Sequence, residues 1–254
     1  MTLELLTSRK NQHIRHFRAL IQDRSYRREQ GLFVCDGLKL LHEAEANGAE
    51  IEEILCCGRD FITEVSGAAV YGADEELFRY VSPLENSPGP LFTVRIRSIS
   101  ENISPKSVLV LENVQDPGNV GTVLRTAAAL GTELVVLCGG CADPYNPKTV
   151  RATMGAIFRQ KIMETDTPGL NRLLAQWELP LYGAALAEDA ADARSVDFRN
   201  AAVAVGNEGH GLSPELLELC TGKIILPMTP GSESLNAAVA ASILMWEMAR
   251  DTLR

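Results

Sequence analysis

Three short apolar runs in this chain each feed directly into a glycine-bearing loop: VLVLEN into the segment from Asn113 to Gly131, AAVAV into Val205 to Leu212, and IILPM into the stretch ending at Asn236. Runs of this length and composition read as strands buried on both faces, the pattern of a parallel sheet. Ligands of parallel sheets collect at strand carboxyl ends, so three such loops predict one composite site of nucleotide type. The segments between them alternate helix and strand. Val120, Val123, Leu124 and Ala127 recur at the spacing of one helical face, and Arg125 lies off that stripe.

The remaining punctuation is local. Asn146 is placed to cap a helix opened by Pro147, and Ser213 precedes Pro214 in the same way. The final helix carries Leu235, Ala238, Val239, Ala241, Ile243, Leu244, Met245 and Trp246, which leaves little polar face. Such a helix is covered on several sides, either deep in its domain or against another subunit. Upstream, a basic helical stretch from Asn11 to Gln30 precedes the strand LFVCD, a helix over Leu38 to Ala46 closed by Asn47 and Gly48, and the runs IEEILCC, AAVYG and LFTVRI. The predicted class is α/β, with a small domain at 1–98, a linker at 99–106 where SISENISPKS loses periodicity, and a second domain at 107–254.

A chain of 254 residues, 46% hydrophobic, is long enough to bury two cores. The longest apolar stretch, AAVAASILMW, is about half of what spans a bilayer, and Glu4, Arg9 and Lys10 break any leader-like start. The expectation is a cytoplasmic protein with no membrane partner, and six scattered cysteines agree with a reducing compartment. Cys138 and Cys141 form a lone CGGC. The four histidines add no second ligand pair at metal-site spacing, so no metal is expected. Net charge is −9, yet residues 1–30 carry seven basic residues against three acidic ones. A basic arm on an acidic body suits a polyanion, and by charge alone a solvated helix face fits equally well.

A dinucleotide fold fits poorly: the first loop reads DPGNVG in place of GxGxxG, and VLCGG stands where a ribose-reading acid belongs. What the segments NVQDPGNVGTVLRTAAALG, VGNEGHGL and LPMTPGSESLN do resemble, in that order, is the SpoU/TrmH class of RNA ribose 2′-O-methyltransferases in the SPOUT superfamily. DPYNPKTVRATMGAIFR looks like the helix that class places between them, and the matches together cover most of Val108 to Ala249. TSRKNQHIRHFRAL and LFVCDGLKLLHEA are similar to the substrate-binding domain preceding many of these enzymes, with Cys35-Asp36 where a glutamate usually stands before the glycine.

The resemblance implies a parallel sheet with a deep trefoil knot, preceded by a small α/β RNA-binding domain, and a homodimer. It also implies transfer of the methyl group of S-adenosylmethionine to a ribose 2′-hydroxyl. Gly206, Leu226, Met228 and Leu235 match positions around the cofactor. Asn119, Arg125, Glu208, Ser234 and Asn236 match the polar catalytic positions. Guanidinium scarcely deprotonates, so Arg125 is expected to bind phosphate and steady developing alkoxide, with Asn119 and Glu208 directing it. Read alone, Leu226 and Leu235 are also core residues, Asn119, Ser234 and Asn236 helix caps, Glu208 a solvated carboxylate and His210 a loop histidine. RNA is the implied partner, gripped by Arg9, Lys10, Arg15, Arg18, Lys148 and Arg151. Ribosomal RNA is favoured over tRNA, and a catalytically silent RNA-binding module is the alternative of another class.

Overall fold

The computed structural model describes residues 4–58, 65, 67–84, 87, 89–100, 102–229, 231, 234–250 and 252. Glu101 of the expected linker, and Pro230, Ser232 and Glu233 of the third motif, lie outside the described residues. The chain forms two compact units, one of residues 1–98 with 143–158 and the other of 99–142 with 159–254.

In chain order the first part contains β1 (Glu4–Leu6), α1 (Gln12–Gln22), α2 (Arg24–Gln30), β2 (Leu32–Asp36), α3 (Leu38–Ala46), β3 (Ile51–Cys57), β4 (Ala69–Ala73), α4 (Glu75–Val81) and β5 (Leu91–Arg95). Next come β6 (Ser107–Glu112), α5 (Pro117–Leu130), β7 (Leu134–Cys138), α6 (Pro147–Ala152), β8 (Ile162–Thr165), α7 (Thr167–Trp177) and β9 (Leu181–Ala184). The last are β10 (Ala191–Asp192), β11 (Ala201–Val205), α8 (Pro214–Glu218), β12 (Gly222–Ile225) and α9 (Ala237–Ala249).

The first unit holds a mixed sheet of order β1-β4-β3-β5-β2, in which β5 runs antiparallel to both neighbours. Ile14, Phe17 and Leu20 lie on one face of α1 and are fully buried. The basic stretch expected as one helix is two. Asp23 ends α1, and its carboxylate accepts from the Ser25 and Tyr26 amides to start α2, so a capping residue divides the segment. Gly31, at φ +64°, then closes α2 in the left-handed conformation.

Residues 143–158, read from sequence as part of the second domain, belong to the first unit. An ion pair and aromatic packing explain this. Arg27 and Asp143 form a buried ion pair at 2.5 Å, and the Phe33 ring packs on Tyr145 and Phe158 with centroids 5.1 and 6.4 Å away.

The second unit is a seven-stranded sheet, β10-β12-β9-β11-β6-β7-β8, with every pair parallel. Each residue of β11 and of β7 is buried, which is why those strands read as unbroken apolar runs. On α5 the stripe Val120, Val123, Leu124 and Ala127 is wholly buried. Burial of the Val and Leu members contributes roughly 1.5–3 kcal/mol each. Asp116 caps α5 through the Asn119 amide, and Pro117 occupies its first turn. The described residues of the expected linker 99–106 make no strand, and Ile99 and Ile103 pack on the core of this unit.

The terminal helix α9 is divided between two fates. Ala237, Ala238, Ala241, Leu244, Met245 and Ala249 are buried, whereas Val239, Ile243 and Trp246 are 47%, 40% and 57% exposed. These three lie at i, i+4 and i+7 and form one apolar stripe.

Candidate active site

The three glycine loops follow β6, β11 and β12, and the latter two wall a cleft of about 710 Å³. That volume suits a ligand of nucleoside size. After β11 the chain makes a tight return: Asn207 and Gly211 exchange backbone hydrogen bonds of 3.1 and 2.8 Å, and the Gly209 amide donates to the Asn207 side chain at 2.8 Å. Asn207 Nδ2 also donates to the Asn113 carbonyl at 3.1 Å, tying this loop to the one after β6. Gly206 is required by space. A Cβ there would lie 2.2 Å from the Gly211 carbonyl carbon and oxygen and 2.4 Å from the Leu212 amide nitrogen.

The far end of the loop is fixed by Glu112, a 2% exposed carboxylate at the end of β6. It accepts from the Ser213 amide at 2.7 Å and from the Ser213 hydroxyl at 2.6 Å. A buried carboxylate with both oxygens bonded holds its partner firmly, because breaking either bond strands a charge. Neither Glu112 nor Asn207 was among the sequence candidates. A charged residue closing an otherwise apolar strand was the available signal for Glu112.

All four expected cofactor positions, Gly206, Leu226, Met228 and Leu235, line the cleft, together with Glu208 and Ser234. The remaining polar candidates join through hydrogen bonds. Asn236 Nδ2 donates to Asn119 Oδ1 at 3.2 Å, and Asn119 Nδ2 donates to Glu208 Oε1. One residue from each of the three motifs thus forms a single chain at the cleft. Asn236 is a cap as well, its side chain accepting from the Ala238 and Val239 amides of α9. Asn119 is not one, since Asp116 caps α5. Arg125 stands exposed on α5, and the Asn236–Asn119–Glu208 chain closes without it. His210 lines the cleft, its Nδ1 3.4 Å from Asn207 Oδ1.

The cationic candidates lie in the first unit. Arg9 pairs with Glu76 at 2.7 Å, and the Arg9 and Arg18 guanidinium groups lie 4.5 and 3.9 Å from the Tyr80 ring centre. Lys10 and Arg15 are exposed, as are Lys148 and Arg151 on α6. The CGGC cysteines are free thiols in buried positions. Burial pushes Cys141 up to about 11, and its sulfur donates to the carbonyls of Leu111 and Cys138. Among the described residues no group of three or more His, Cys, Asp or Glu is arranged to hold a metal ion.

Residues 106–246 match the model of the SpoU rRNA Methylase family, and residues 11–91 match the MRM3-like substrate binding domain. The chain belongs to the SpoU rRNA methylase family. Relatives within reach of it include the 23S rRNA (guanosine(2553)-2′-O)-methyltransferase RlmP of Bacillus subtilis, 32% identical over 97% of this chain and 99% of that protein. The 23S rRNA (uridine(2479)-2′-O)-methyltransferase of Streptomyces viridochromogenes is 27% identical over 98% of this chain and 92% of its own length. Among solved structures, an AdoMet-bound rRNA methyltransferase from Sinorhizobium meliloti superposes with a TM-score of 0.89 at 28% identity, covering 99% of each chain. As a SpoU-family protein the chain has the expected α/β fold, a parallel sheet preceded by an N-terminal domain.

Proposed function

We propose that this protein transfers the methyl group of S-adenosylmethionine to a ribose 2′-hydroxyl of ribosomal RNA. The observation that carries the reading is the hydrogen-bonded chain from Asn236 through Asn119 to Glu208 beside the cleft, which joins all three motifs at one point. The cleft fits the donor: Gly206 leaves room for a close approach of backbone, Leu226, Leu235 and Met228 supply apolar walls, and loop amides and carbonyls can read an adenine edge. When bound, the donor supplies an electrophilic methyl group. The protein's part is then positioning, because an in-line displacement needs the acceptor oxygen held against that carbon.

Within this reading Arg125 binds the RNA phosphate beside the acceptor ribose and steadies negative charge as the hydroxyl proton passes to water, the new O–C bond forming as the S–C bond breaks to release S-adenosylhomocysteine. Its fork suits phosphate geometry. Ser234 and Asn236 orient the sugar, while Asn119 and Glu208 hold one another in place and thereby fix the polar edge that the ribose meets. Grip on the RNA falls to Arg9, Lys10, Arg15, Arg18, Lys148 and Arg151, all in the first unit. An exposed pair such as Arg9–Glu76 is worth about 0–1 kcal/mol, so phosphate can displace Glu76 at little cost.

Three further elements belong to the same reading. The knot expected for this class accords with residues 206–212 walling one cleft together with Leu226, Met228, Ser234 and Leu235. A homodimer accords with the exposed stripe of Val239, Ile243 and Trp246 on α9. A cytoplasmic enzyme accords with six free cysteines. Ribosomal RNA is preferred to tRNA because the relatives named above act on 23S rRNA and share nearly the whole chain, substrate-binding domain included. Those two relatives act on guanosine and on uridine, so the base is a separate question from the chemistry. Mapping 2′-O-methyl positions across total RNA with and without the gene tests the assignment: one ribosomal position should disappear, and loss of a tRNA position alone would refute it.

A further inference from the structure

Among the described residues Arg27 is the most deeply buried cation of the first unit, 3% exposed, and it is one of the seven basic residues within 1–30. Its Nη1 donates to the carbonyls of Leu20 and Ile21, at 2.6 and 3.2 Å, in the last turn of α1. Its Nε and Nη2 both donate to Asp143 Oδ2, at 2.9 and 2.5 Å. Asp143 in turn organises the entry to α6. Its Oδ1 accepts from the Tyr145 amide at 3.0 Å, and its carbonyl accepts from the Asn146 amide at 3.1 Å and from the buried Thr149 hydroxyl at 2.8 Å. One guanidinium therefore fixes the end of α1, the helix α2 that carries it, and the turn that starts α6.

A buried ion pair is a weak source of stability, since apolar residues of the same volume often do as well or better. What the planar fork provides is a fixed angle between the elements it joins. Those elements bear the candidate phosphate contacts, Arg15 and Arg18 on α1 and Lys148 and Arg151 on α6. We infer that Arg27 and Asp143 are positioning residues for RNA, setting the cations of α6 in register with those of α1. The inference rests on the proposed RNA-directed function and assigns the pair no contact with the reacting atoms.

The test uses the full-length Asp143→Asn variant, which keeps the shape and the Tyr145 contact but removes the charge. Purified ribosomal RNA is the probe, with S-adenosylhomocysteine affinity measured by calorimetry beside it. The expected result is a KM for RNA raised on the order of 10-fold, with kcat at saturating RNA within about twofold and S-adenosylhomocysteine affinity unchanged, as for a lost binding contribution. Because the pair acts through α6, Lys148→Ala combined with Arg151→Ala should cost much less in the Asp143→Asn background than in the wild type. Should Asp143→Asn fold poorly, the apolar replacement Arg27→Met with Asp143→Leu restores packing without the fork and is expected to show the same rise in KM. An unchanged KM in a folded variant overturns the inference, as do fully additive α6 substitutions or parallel loss of RNA and S-adenosylhomocysteine binding. Wild-type protein that binds no RNA would instead overturn the functional reading beneath it.

Discussion

Replacing Gly206 by alanine tests the cofactor loop at its tightest point. Gly206 does not adopt a left-handed φ, so the backbone accepts alanine and only space opposes it. The new Cβ would meet the Gly211 carbonyl carbon and oxygen at 2.2 Å, whereas ordinary contact begins at 3.4 Å, so the facing segment must retreat by about 1.2 Å. That segment cannot retreat freely, because Asn207 and Gly211 are bonded to each other and Ser213 is held by Glu112. Overpacking of this kind costs about 1–3 kcal/mol, or roughly 2–12 °C in Tm for a chain of this size. A displacement near 1 Å in a site built on positioning costs about 10²-fold in rate. The assay is calorimetric binding of S-adenosylhomocysteine with a thermal melt on the same sample. Gly206→Ala should weaken binding on the order of 10- to 100-fold. Gly209→Ala should bind normally, since its Cβ meets Asn207 Oδ1 at an ordinary 3.5 Å. Gly206→Ala that binds as the wild type would refute the argument that this loop has no room to give.

Arg125→Lys keeps the charge and loses the fork, and single-turnover methylation should slow by about 10-fold or more while S-adenosylhomocysteine affinity stays constant; an undiminished rate contradicts the assigned role. Trp246→Glu places a charge in the apolar stripe of α9 and should convert a dimer to a monomer in light scattering, so an unchanged mass would show that the stripe is not the interface. Burial raises the Asp36 carboxyl above its ordinary range, although the Ser87 hydroxyl donates to it. A raised value favours the neutral form in the folded state, so the contribution of Asp36 to stability is complete below about pH 4 and is lost as pH climbs through the raised value. Asp36→Asn should therefore gain Tm relative to the wild type at neutral pH and not in acid; melting curves that stay parallel across pH would contradict this.

The sheet of the catalytic unit was legible because β6, β7 and β11 are buried on both faces and so carry uninterrupted apolar runs. Caps were equally clear, with Asn146 and Ser213 doing what their positions suggested. What escaped was non-local. β8 and β10, of four and two residues, are too short to show a period, and each is defined by the strand beside it. The division of the basic stretch at Asp23 depended on one side chain serving as a cap, where composition alone showed a continuous helix. Membership of residues 143–158 in the first unit depends on Arg27 meeting Asp143 across more than a hundred positions, which no local pattern encodes. In the site, the motifs supplied Asn119, Glu208 and Asn236, and the structure added how they bond and that Arg125 stands outside that chain.

If one pocket presents an activated methyl group to a sugar oxygen, a labelled methyl must end on that oxygen. Purified protein is incubated with methyl-labelled S-adenosylmethionine and ribosomal RNA lacking the modification, and the RNA is digested to nucleosides. The label should appear in a single 2′-O-methylated nucleoside, and more slowly when Arg125 or Asn119 is replaced. Label recovered on a base, or none transferred by folded protein that still binds S-adenosylhomocysteine, would contradict it.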